Sequence, residues 1–477
     1  MTIPIPTGVF DILPQDPKEK WRESHLWNHL ETLFRSHALA YGCHEIRTPI
    51  FERTELFKRS VGDTSDIVSK EMYSFEDRGG RWMSLRPEGT APVMRAFIEK
   101  QLHAQSELSR FFYIGPMFRY ERPQSGRFRQ HHQFGVEIIG NPHPEADAEM
   151  IEMVYSLYER MGLKHLKVYL NCLGDKNARE QFRTSLQNYL RPRLLELSED
   201  SQRRFETNPL RILDSKDERD KEIIQQAPRI LEFLSDEAKA HFETVQAILT
   251  HLKIPFEVND KLVRGLDYYT NTVFEITSGQ LGAQNSIAGG GRYDGLLKSL
   301  GGPDLASIGF AMGIERVIQV LLHQQNGEYV SRKNPALYII PLGSEALLEA
   351  FDLSRRMRKE GIICSLDLSR KKLKSCMQEA NNLGAEFVLV LGETEIKEKR
   401  AQIKDMKTGH ALSIALEAIP FFFRMRLVSS RFHEDSLGMQ EAVTKVSMDS
   451  ILVDTHMKEH FSSLSEQAKS LLNSLQK

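Results

Sequence analysis

The spacing of hydrophobic residues predicts a helix near the start of the chain. Asp16 and Pro17 are typical of a helix start, because aspartate caps a helix and proline suits its first turn. An apolar stripe with helical spacing follows and consists of Leu26, Leu30, Leu33 and Phe34. Gly42 stands just after the stripe and favours a helix end. The pattern predicts one amphipathic helix from about Asp16 to Tyr41.

The middle of the chain predicts a sheet that is interrupted by helices. Residues 111–140 and 255–276 have mostly strand-like patterns. Residues 175–252 are highly charged, poor in glycine and helical in pattern, so we expect a helical insertion between two halves of one sheet domain. Residues 308–322 join a short strand to a helix, whose apolar positions are Ile314, Val317, Ile318 and Leu321.

The pattern changes again after Asn334 and Pro335. Residues 336–341 and 387–391 look like buried strands, and they alternate with helical stretches as in a small α/β domain. The predicted segments are 1–174, 175–252, 253–328, 334–428 and 429–477. The last segment has no assigned role, but its apolar spacing predicts a terminal amphipathic helix that contains Phe461, Leu464, Ala468, Leu471, Leu472 and Leu475.

Composition indicates an ordinary globular protein of several domains. At 477 residues the chain is too long for one typical domain, and 40% hydrophobic with 27% charged residues is a normal soluble balance. The formal net charge is −2, so a nucleic-acid partner requires a local basic patch. No apolar run reaches membrane-spanning length, and the start lacks the pattern of a signal peptide. We expect no membrane association.

The cysteines argue against a zinc site and against a disulfide framework. There are four, and none has CxxC spacing: Cys43, Cys172, Cys364 and Cys376. Reduced thiols are typical of the cytoplasm, which is the expected location.

A basic patch does occur, between residues 119 and 129. It holds Arg119, Arg122, Arg127 and Arg129. A turn signal at residues 123–126 predicts that the patch is a hairpin. Arginine forks match phosphate oxygens, so the patch predicts a polyanion site. The alternative is a solvated charged hairpin, and composition alone does not decide between them.

Two further segments carry candidate ligand-binding residues. In residues 86–90, Thr90 is a candidate helix N-cap, whereas Glu88 could instead point into a pocket and hold an ammonium group. The capping role is favoured when the segment is taken alone. In residues 264–269, Arg264, Tyr268 and Tyr269 form a good wall for a small polar ligand, although tyrosines in a strand core are as common.

Three other features are weaker. The glycine run 289–291 lacks the spacing of a phosphate loop, and we expect it to let a ligand lie against the backbone. Arg316 opens an apolar helix and matters only if that helix begins inside a pocket. His131 and His132 are adjacent, so on a strand they face opposite sides and cannot share a metal.

The sequence offers arginines, carboxylates and tyrosines, and no catalytic triad or metal-ligand cluster stands out. This set suits a reaction in which the substrate supplies the nucleophile and the protein orients it and neutralises charge. A carboxylate that attacks the α-phosphate of ATP is such a nucleophile.

In this order and spacing, the segments resemble the class II aminoacyl-tRNA synthetases, and more narrowly the histidyl-tRNA synthetases, over about residues 6–420. The matching stretches are 41–57 (motif 1), 118–122 with its loop to 137 (motif 2), 308–316 (motif 3), and the histidine signatures 262–269 and 288–296. The resemblance implies an α+β fold: an antiparallel catalytic sheet flanked by helices, a helical insertion, and a C-terminal α/β domain like those that bind anticodons. It also implies a cytoplasmic homodimer formed through motif 1.

The resemblance further implies roles for individual residues. The implied histidine-binding residues are Glu88, Gly89, Thr90, Gln133, Glu137, Tyr268 and Tyr269. The implied ATP-binding residues are Arg119, Glu121, Phe128, Arg264 and Arg316, of which Arg119, Arg264 and Arg316 are catalytic. The implied contacts to the tRNA acceptor end are Arg122, Gln124 and Arg129. Mg²⁺ would arrive with ATP, and no protein metal site is implied, because Arg264 takes a role that a metal has in other class II enzymes.

The implied activity is the activation of L-histidine with ATP and its transfer to tRNA(His). One alternative is a non-catalytic paralogue that regulates histidine biosynthesis, but such chains are expected to lose arginines like Arg119 and Arg316. A generic nucleotide- or RNA-binding protein would not explain the segment around Arg264. Class I synthetase chemistry is disfavoured because no His-x-Gly-His sequence accompanies residues 371–375.

Overall fold

The computed structural model describes residues 3–62, 65–121, 127–279, 286–369 and 371–426. The chain divides into two compact units, Met1–Ser331 and Arg332–Lys477. The predicted terminal helix in 429–477 lies outside the described residues.

The first unit is built on a sheet that has eight strands in the described part of the chain. The strands of this unit, including three of a smaller sheet, are β1 (His44–Glu45), β2 (Phe51–Arg53), β3 (Ser74–Glu76), β4 (Trp82–Leu85), β5 (Ser109–Phe118), β6 (Gln130–Ile139), β7 (Leu166–Cys172), β8 (Phe256–Val258), β9 (Thr270–Ser278), β10 (Ser286–Arg292) and β11 (Ser307–Gly313). The large sheet has the order β1-β5-β6-β11-β10-β9-β7-β8, and β2-β4-β3 form the small sheet.

The large sheet is mixed, whereas the resemblance implied an antiparallel one. Its six central strands, from β5 to β7, pair antiparallel. The outer strands β1 and β8 pair parallel with their neighbours. Each of these two edge strands is short, and helices lie along the chain between each of them and the strand with which it pairs, so neither pair is a hairpin.

Helices cover both faces of this sheet. They are α1 (Ser24–Ala40), α2 (Thr54–Val61), α3 (Thr90–Glu99), α4 (Pro144–Arg160), α5 (Lys176–Leu190), α6 (Glu199–Thr207), α7 (Glu218–Ile224), α8 (Asp236–His251), α9 (Leu296–Ser299) and α10 (Ile314–Gln324). One core holds α1, α4, α8 and α10 against Phe134, Val136 and Ile138 of β6. Because side chains alternate along a strand, the other face of β6 is left for a different environment.

The first helix begins later than the sequence predicts. Asp16 does accept hydrogen bonds from the backbone N–H groups of Lys18 and Glu19, but these form a local turn. Leu13 then pairs with Glu23, which is extended, so α1 can begin only at Ser24. The predicted end is confirmed, because α1 stops at Ala40 and Gly42 has a φ of +69°.

The predicted insertion, residues 175–252, contains four helices of two kinds. The first three contribute side chains, including Phe182, Leu186 and Phe205, to a second core, which they share with α3 and with strands β5 and β9. In contrast, Phe242 and Val245 of α8 join the core beneath the large sheet. The last helix of the segment therefore belongs to the helical layer of the sheet.

The second unit is a small α/β domain, as predicted. Its elements are β12 (Leu337–Pro341), α11 (Ser344–Lys359), β13 (Cys364–Leu366), α12 (Leu373–Asn382), β14 (Phe387–Leu391), α13 (Glu393–Glu398), β15 (Arg400–Asp405) and β16 (Ala411–Ala415). The strand order is β13-β12-β14-β15-β16, with β12 parallel to both neighbours. Phe423 lies just beyond residue 420, where the resemblance ends. It is 3% exposed and packs in this core.

No helix in the described residues is long and apolar enough to cross a membrane.

Candidate active site

A cavity of about 210 Å³ lies on the face of the large sheet opposite α1, α4, α8 and α10. The predicted residues that line it are Glu88, Thr90, Arg119, Glu121, Phe128, Gln133, Arg264, Tyr268, Tyr269 and Arg316. Gly89 and Glu137 lie behind the lining, and Arg129 lies outside it. Arg122 and Gln124 are outside the described residues. The structure thus brings together residues that are almost 230 positions apart in the sequence.

Strand β6 supplies the floor of this cavity. His131 and Gln133 line it, whereas His132 faces the other way and contacts α10. The predicted opposite orientation of the two histidines is therefore confirmed. Glu315 Oε1 accepts hydrogen bonds from the backbone N–H of His132 at 2.7 Å and lies 2.9 Å from its Nδ1. These contacts hold the first turn of α10 at the cavity. The helix therefore begins inside a pocket, and Arg316 lines it.

The three predicted catalytic arginines converge on the cavity from three directions. Arg119 Nε donates to the carbonyl oxygen of Pro87 at 2.8 Å, and Arg316 Nη1 donates to that of Ser286 at 2.9 Å. Carbonyl oxygens orient a guanidinium without neutralising it. Burial lowers the pKa of Arg316, as do nearby cations, of which Arg127 is the foremost. The cavity therefore concentrates positive charge and favours an anionic ligand.

Arg264 is anchored by a carboxylate and packs against a glycine that leaves room for its guanidinium. Its Nη1 donates to Glu275 Oε2 at 2.6 Å. A Cβ at Gly289 would overlap the guanidinium of Arg264. The expectation for the glycine run is therefore corrected, because Arg264 occupies the space that we assigned to a ligand. Burial is the largest influence on Arg264 and opposes its charge, but Glu275, Tyr269 and Tyr268 together outweigh burial, and the pKa of Arg264 is raised.

Glu88, rather than Thr90, caps α3. Both oxygens of its carboxylate accept backbone hydrogen bonds, from the N–H of Thr90 at 2.6 Å and of Ala91 at 2.9 Å. The predicted N-cap role of Thr90 is wrong, because Thr90 is the first residue of the helix and its hydroxyl donates to Glu137 Oε1 at 2.7 Å. Glu88 is 3% exposed, and burial raises its pKa. A cationic ligand group would compensate this buried carboxylate.

Glu137 lies one layer beneath the cavity and ties two of its walls together. It accepts hydrogen bonds from the hydroxyls of Thr90 and Tyr293. Burial raises the pKa of Glu137 to about 8, against the opposing effect of these two bonds. Gly309 lies directly over its carboxylate and leaves no room for a larger residue.

The raised pKa of Glu137 predicts a pH effect on stability. The folded protein keeps this proton up to about pH 8, whereas the unfolded chain loses it near 4.5, so the folded state binds more protons within that window. The free energy of unfolding should therefore fall as pH rises through the window, by up to about 1.4 kcal/mol per pH unit, and level off above it. Urea unfolding of wild type and Glu137→Gln between these pH values measures the effect. Parallel pH curves for the two proteins would contradict the assignment.

Sequence reasoning did not single out two tyrosines of this site, Tyr113 and Tyr293. Tyr113 lines the cavity, and its ring lies so close to Gly89 and Gly135 that neither could carry a Cβ. Tyr293 follows the glycine run, and its ring lies 5.4 Å from that of Tyr268. Gly89 and Gly135 were the only available signal for Tyr113, because glycines that face each other leave room for a bulky ring.

The cavity keeps polar atoms that a ligand could satisfy. Gln133 Oε1 and Arg264 Nε are buried, and neither has a hydrogen-bond partner among the residues that the structure describes. Burial raises the pKa of Tyr268 well above its usual range, so the phenol stays protonated and can donate a hydrogen bond. Phe128 adds an apolar wall, and the centre of its ring lies 4.9 Å from that of Phe10, which packs against it.

Comparison with known protein families agrees with this geometry. Residues 8–317 match the sequence model of a family described as histidyl-tRNA synthetase, which covers more than half of the chain. The chain belongs to the histidyl-tRNA synthetase family. Residues 336–425 match a second model, described as an anticodon-binding domain. The second unit of this histidyl-tRNA synthetase family member therefore contains the anticodon-binding domain.

Individual relatives in the family cover most of the chain. It is 54% identical over 419 residues to a histidine–tRNA ligase of Protochlamydia amoebophila, covering 88% of this chain and 99% of that protein. It is 45% identical to a histidine–tRNA ligase of Bacillus subtilis, covering 87% and 96%. The apo histidyl-tRNA synthetase of S. aureus has a TM-score of 0.74 at 38% identity and covers 89% of this chain and 100% of its own.

Proposed function

We propose that the protein activates L-histidine with ATP, releasing diphosphate, and transfers the histidyl group to the 3′ end of tRNA(His). The observation that carries this proposal is the convergence of Arg119, Arg264 and Arg316 beside the buried Glu88 and the partly buried Tyr268. Cations suit a triphosphate, and a buried carboxylate suits an ammonium group. An amino acid and ATP are together the ligands that use both.

In the proposed reaction, a histidine carboxylate oxygen attacks the α-phosphorus of ATP, and the bond to diphosphate breaks. Glu88 and Thr90 hold the amino group, while Gln133, Tyr268 and Tyr269 line the side-chain pocket, supported by Glu137 from beneath. Arg119 and Arg264 neutralise the charge that grows on the α-phosphate, and Arg316 binds the γ-phosphate. Phe128 packs on adenine beside Glu121. A terminal ribose hydroxyl of tRNA then attacks the carbonyl carbon and releases AMP.

The pocket chemistry favours histidine over other amino acids. Imidazole presents two nitrogens, and polar groups left unpaired by the wrong side chain cost about 1–3 kcal/mol each. Gln133 Oε1 is such a buried acceptor. A site of this kind rejects competitors that lack hydrogen-bonding groups far better than an apolar pocket does.

Mg²⁺ enters this proposal only as part of the nucleotide substrate. In the described ranges no group of three or more histidine, cysteine, aspartate or glutamate side chains is placed to hold a metal ion. The cavity carboxylate Glu121 is paired with Arg127 at 3.1 Å, and Glu315 is bound to His132.

The regulatory-paralogue alternative is not favoured. The curated relatives at 44–54% identity are histidine–tRNA ligases. A Bacillus halodurans structure described as an ATP phosphoribosyltransferase regulatory subunit/histidyl-tRNA synthetase is only 22% identical with a TM-score of 0.60, which shows the fold alone. Arg119 and Arg316, which such a paralogue would be expected to lose, both line the cavity.

Charging of tRNA tests the proposed function as a whole. Purified protein with ATP and radiolabelled histidine should attach histidine to tRNA(His) and to no other tRNA in a mixed pool. Charging of a different tRNA, or none under conditions where a B. subtilis relative is active, would overturn the proposal.

The motif 2 loop is proposed to contact the acceptor end through Arg122, Gln124 and Arg129. Of these, the structure describes Arg129, whose guanidinium lies 4.2 Å from the centre of the Tyr120 ring. Gln124→Ala should raise KM for tRNA(His) roughly 5-fold, the value of one hydrogen bond, with little change in histidine-dependent ATP–diphosphate exchange. Gln105→Ala, an exposed glutamine of the same unit, is the control. An equal loss in both assays would contradict the loop assignment.

A homodimer is proposed through motif 1 and the small sheet to which its strand β2 belongs. Its surface exposes Phe51, Phe75 and Trp82, of which Trp82 is 60% exposed, and an apolar patch of this kind typically marks an interface. Phe75→Asp combined with Trp82→Asp should convert the dimer to a 54.8 kDa monomer by light scattering. Phe421→Asp, at an exposed phenylalanine of the second unit, is the control. A monomeric wild type would contradict the proposal.

A cytoplasmic location is also proposed. All four cysteines are free thiols and buried. Burial raises the pKa of Cys43 to about 11 and of Cys172 to about 12, so both stay protonated and unreactive. Such thiols are typical of a reducing compartment.

A further inference from the structure

A second cavity, of about 350 Å³, lies behind the segment that carries Arg264. Its walls come from the first two turns of α5, from residues 207–211, and from residues 263–269. Arg264, Leu266 and Tyr269 line this cavity and the active site. The two cavities are therefore neighbours that share one wall, and nothing in the proposed reaction uses the second.

The lining of the second cavity holds more cations than carboxylates. The cations in its lining are Lys176, Arg179, Arg183, Arg211 and Arg264, and the carboxylates are Glu180 and Asp267. Arg264 is paired with Glu275 at 2.6 Å and Arg211 with Asp214 at 3.7 Å. In the part of the chain that the structure describes, the cations of the lining that form no such pair are therefore Lys176, Arg179 and Arg183. Positively charged concave surfaces of this kind attract anions.

The arginines of α5 are oriented by carbonyl oxygens instead of carboxylates. Arg179 Nη1 donates to the carbonyl of Tyr269 at 2.8 Å, and Arg183 Nη2 donates to that of Glu206 at 3.3 Å. Among the described residues, neither of these arginines forms an ion pair with a carboxylate within 4 Å, and Lys176 does not form one either. Burial lowers the pKa of Arg179, as expected for a buried cation that is only partly compensated.

Most other cations of the insertion are neutralised, which makes this group unusual. Arg204 pairs with Asp66 at 3.0 Å, and Arg219 pairs with Asp217 at 3.0 Å. The N-terminus of α5 is capped by Asp175, whose Oδ1 accepts a hydrogen bond from the backbone N–H of Ala178 at 2.8 Å, so the positive charge of this wall comes from its side chains. Lys176, Arg179 and Arg183 thus form a group of three cations without an ion pair among the described residues, all on one cavity wall.

We propose that this second cavity binds a phosphate group through Lys176, Arg179 and Arg183. Guanidinium forks match phosphate oxygens in geometry, and a lysine ammonium adds a mobile third donor. The phosphate comes either from a phosphodiester of tRNA or from a free phosphate compound. The tRNA source rests on the proposed function, since it requires that the acceptor end approach the neighbouring cavity.

The test compares Lys176→Ala/Arg183→Ala with a matched control, Arg219→Ala/Lys221→Ala. Both double variants remove two positive charges from the insertion, but the control residues lie outside the cavity and are exposed. Binding of tRNA(His) is measured by fluorescence anisotropy from about 50 to about 200 mM salt. Binding of inorganic phosphate is measured by isothermal titration calorimetry on the same proteins.

If the phosphate belongs to tRNA, the cavity variant loses affinity, and its slope of log K against log salt becomes shallower by roughly 0.7–0.9, as expected when the contact to one phosphate is lost. If the phosphate is free, tRNA binding matches the control but the variant loses a phosphate site that wild type and control retain. Either result supports the proposal. A cavity variant that matches the control in both titrations overturns it.

Histidine-dependent ATP–diphosphate exchange without tRNA separates this proposal from the proposed function. The cavity variant should retain wild-type exchange, because Lys176 and Arg183 do not line the active site. Absence of exchange in wild type would instead count against the proposed function. Lys176→Gln/Arg183→Gln replaces the alanine variant if the latter does not fold.

Discussion

Replacing Arg264 with histidine is expected to lower histidine-dependent ATP–diphosphate exchange by about 10²–10³-fold, the usual cost of losing one donor to transition-state charge. Arg264 is anchored by Glu275 at 2.6 Å and accommodated by Gly289, so its position is fixed before substrate binds. Histidine is shorter and mostly neutral at pH 7, so it cannot supply the same charge at the same place. The rate constant kcat should fall more than KM for ATP rises, because the charge on the α-phosphate grows in the transition state.

The control for this experiment is Arg356→His. Arg356 is also a partly exposed arginine paired with a carboxylate, Asp352 at 2.9 Å, but it lies in the second unit. Its exchange rate should match wild type. Circular dichroism and thermal unfolding should show that both variants keep the fold. Wild-type exchange in the Arg264 variant would refute a catalytic role for this residue.

The second large effect is expected for Glu88→Gln. The carboxylate is buried and its pKa is raised, so it gains most from a cationic partner such as the histidine ammonium group. Removing its charge should lower kcat/KM for histidine by roughly 10²-fold, or about 3 kcal/mol, and leave KM for ATP nearly unchanged. Glutamine retains a side-chain oxygen, so part of the cap on α3 survives.

Loss of helix capping must be distinguished from loss of substrate binding in that variant. Asp217→Asn offers a matched change, because Asp217 caps α7 by accepting from the N–H of Arg219 at 3.0 Å. Both variants should lose a similar, small amount of stability, but only Glu88→Gln should lose histidine affinity. An increase in KM for ATP as large as that for histidine would show that Glu88 does not act at the amino group.

The sequence predicted those elements in which one signal dominates. The helix at Ile314 was predicted because a strong apolar stripe follows a strand, and α10 runs from Ile314 to Gln324. The start of α1 was missed because two local signals compete. Asp16 can cap a turn as well as a helix, and only the pairing of Leu13 with Glu23 decides between them.

The site could be predicted only in part, because its contacts join distant residues. The free space at Gly289 is filled by Arg264, which is 25 positions away, and periodicity carries no information about that pairing. Thr90 was predicted as an N-cap because threonine is a common N-cap residue. In the structure its hydroxyl instead donates a hydrogen bond to Glu137 of strand β6. Resemblance to a family supplied the residue roles, and the cavity shows how these residues can meet.

Amino-acid-dependent ATP–diphosphate exchange tests the central claim most directly. Purified protein is incubated with ATP, labelled diphosphate and each of the standard amino acids in turn. The account predicts exchange with L-histidine alone, and its loss in Arg264→His. Exchange with a different amino acid, or none with histidine, would contradict it.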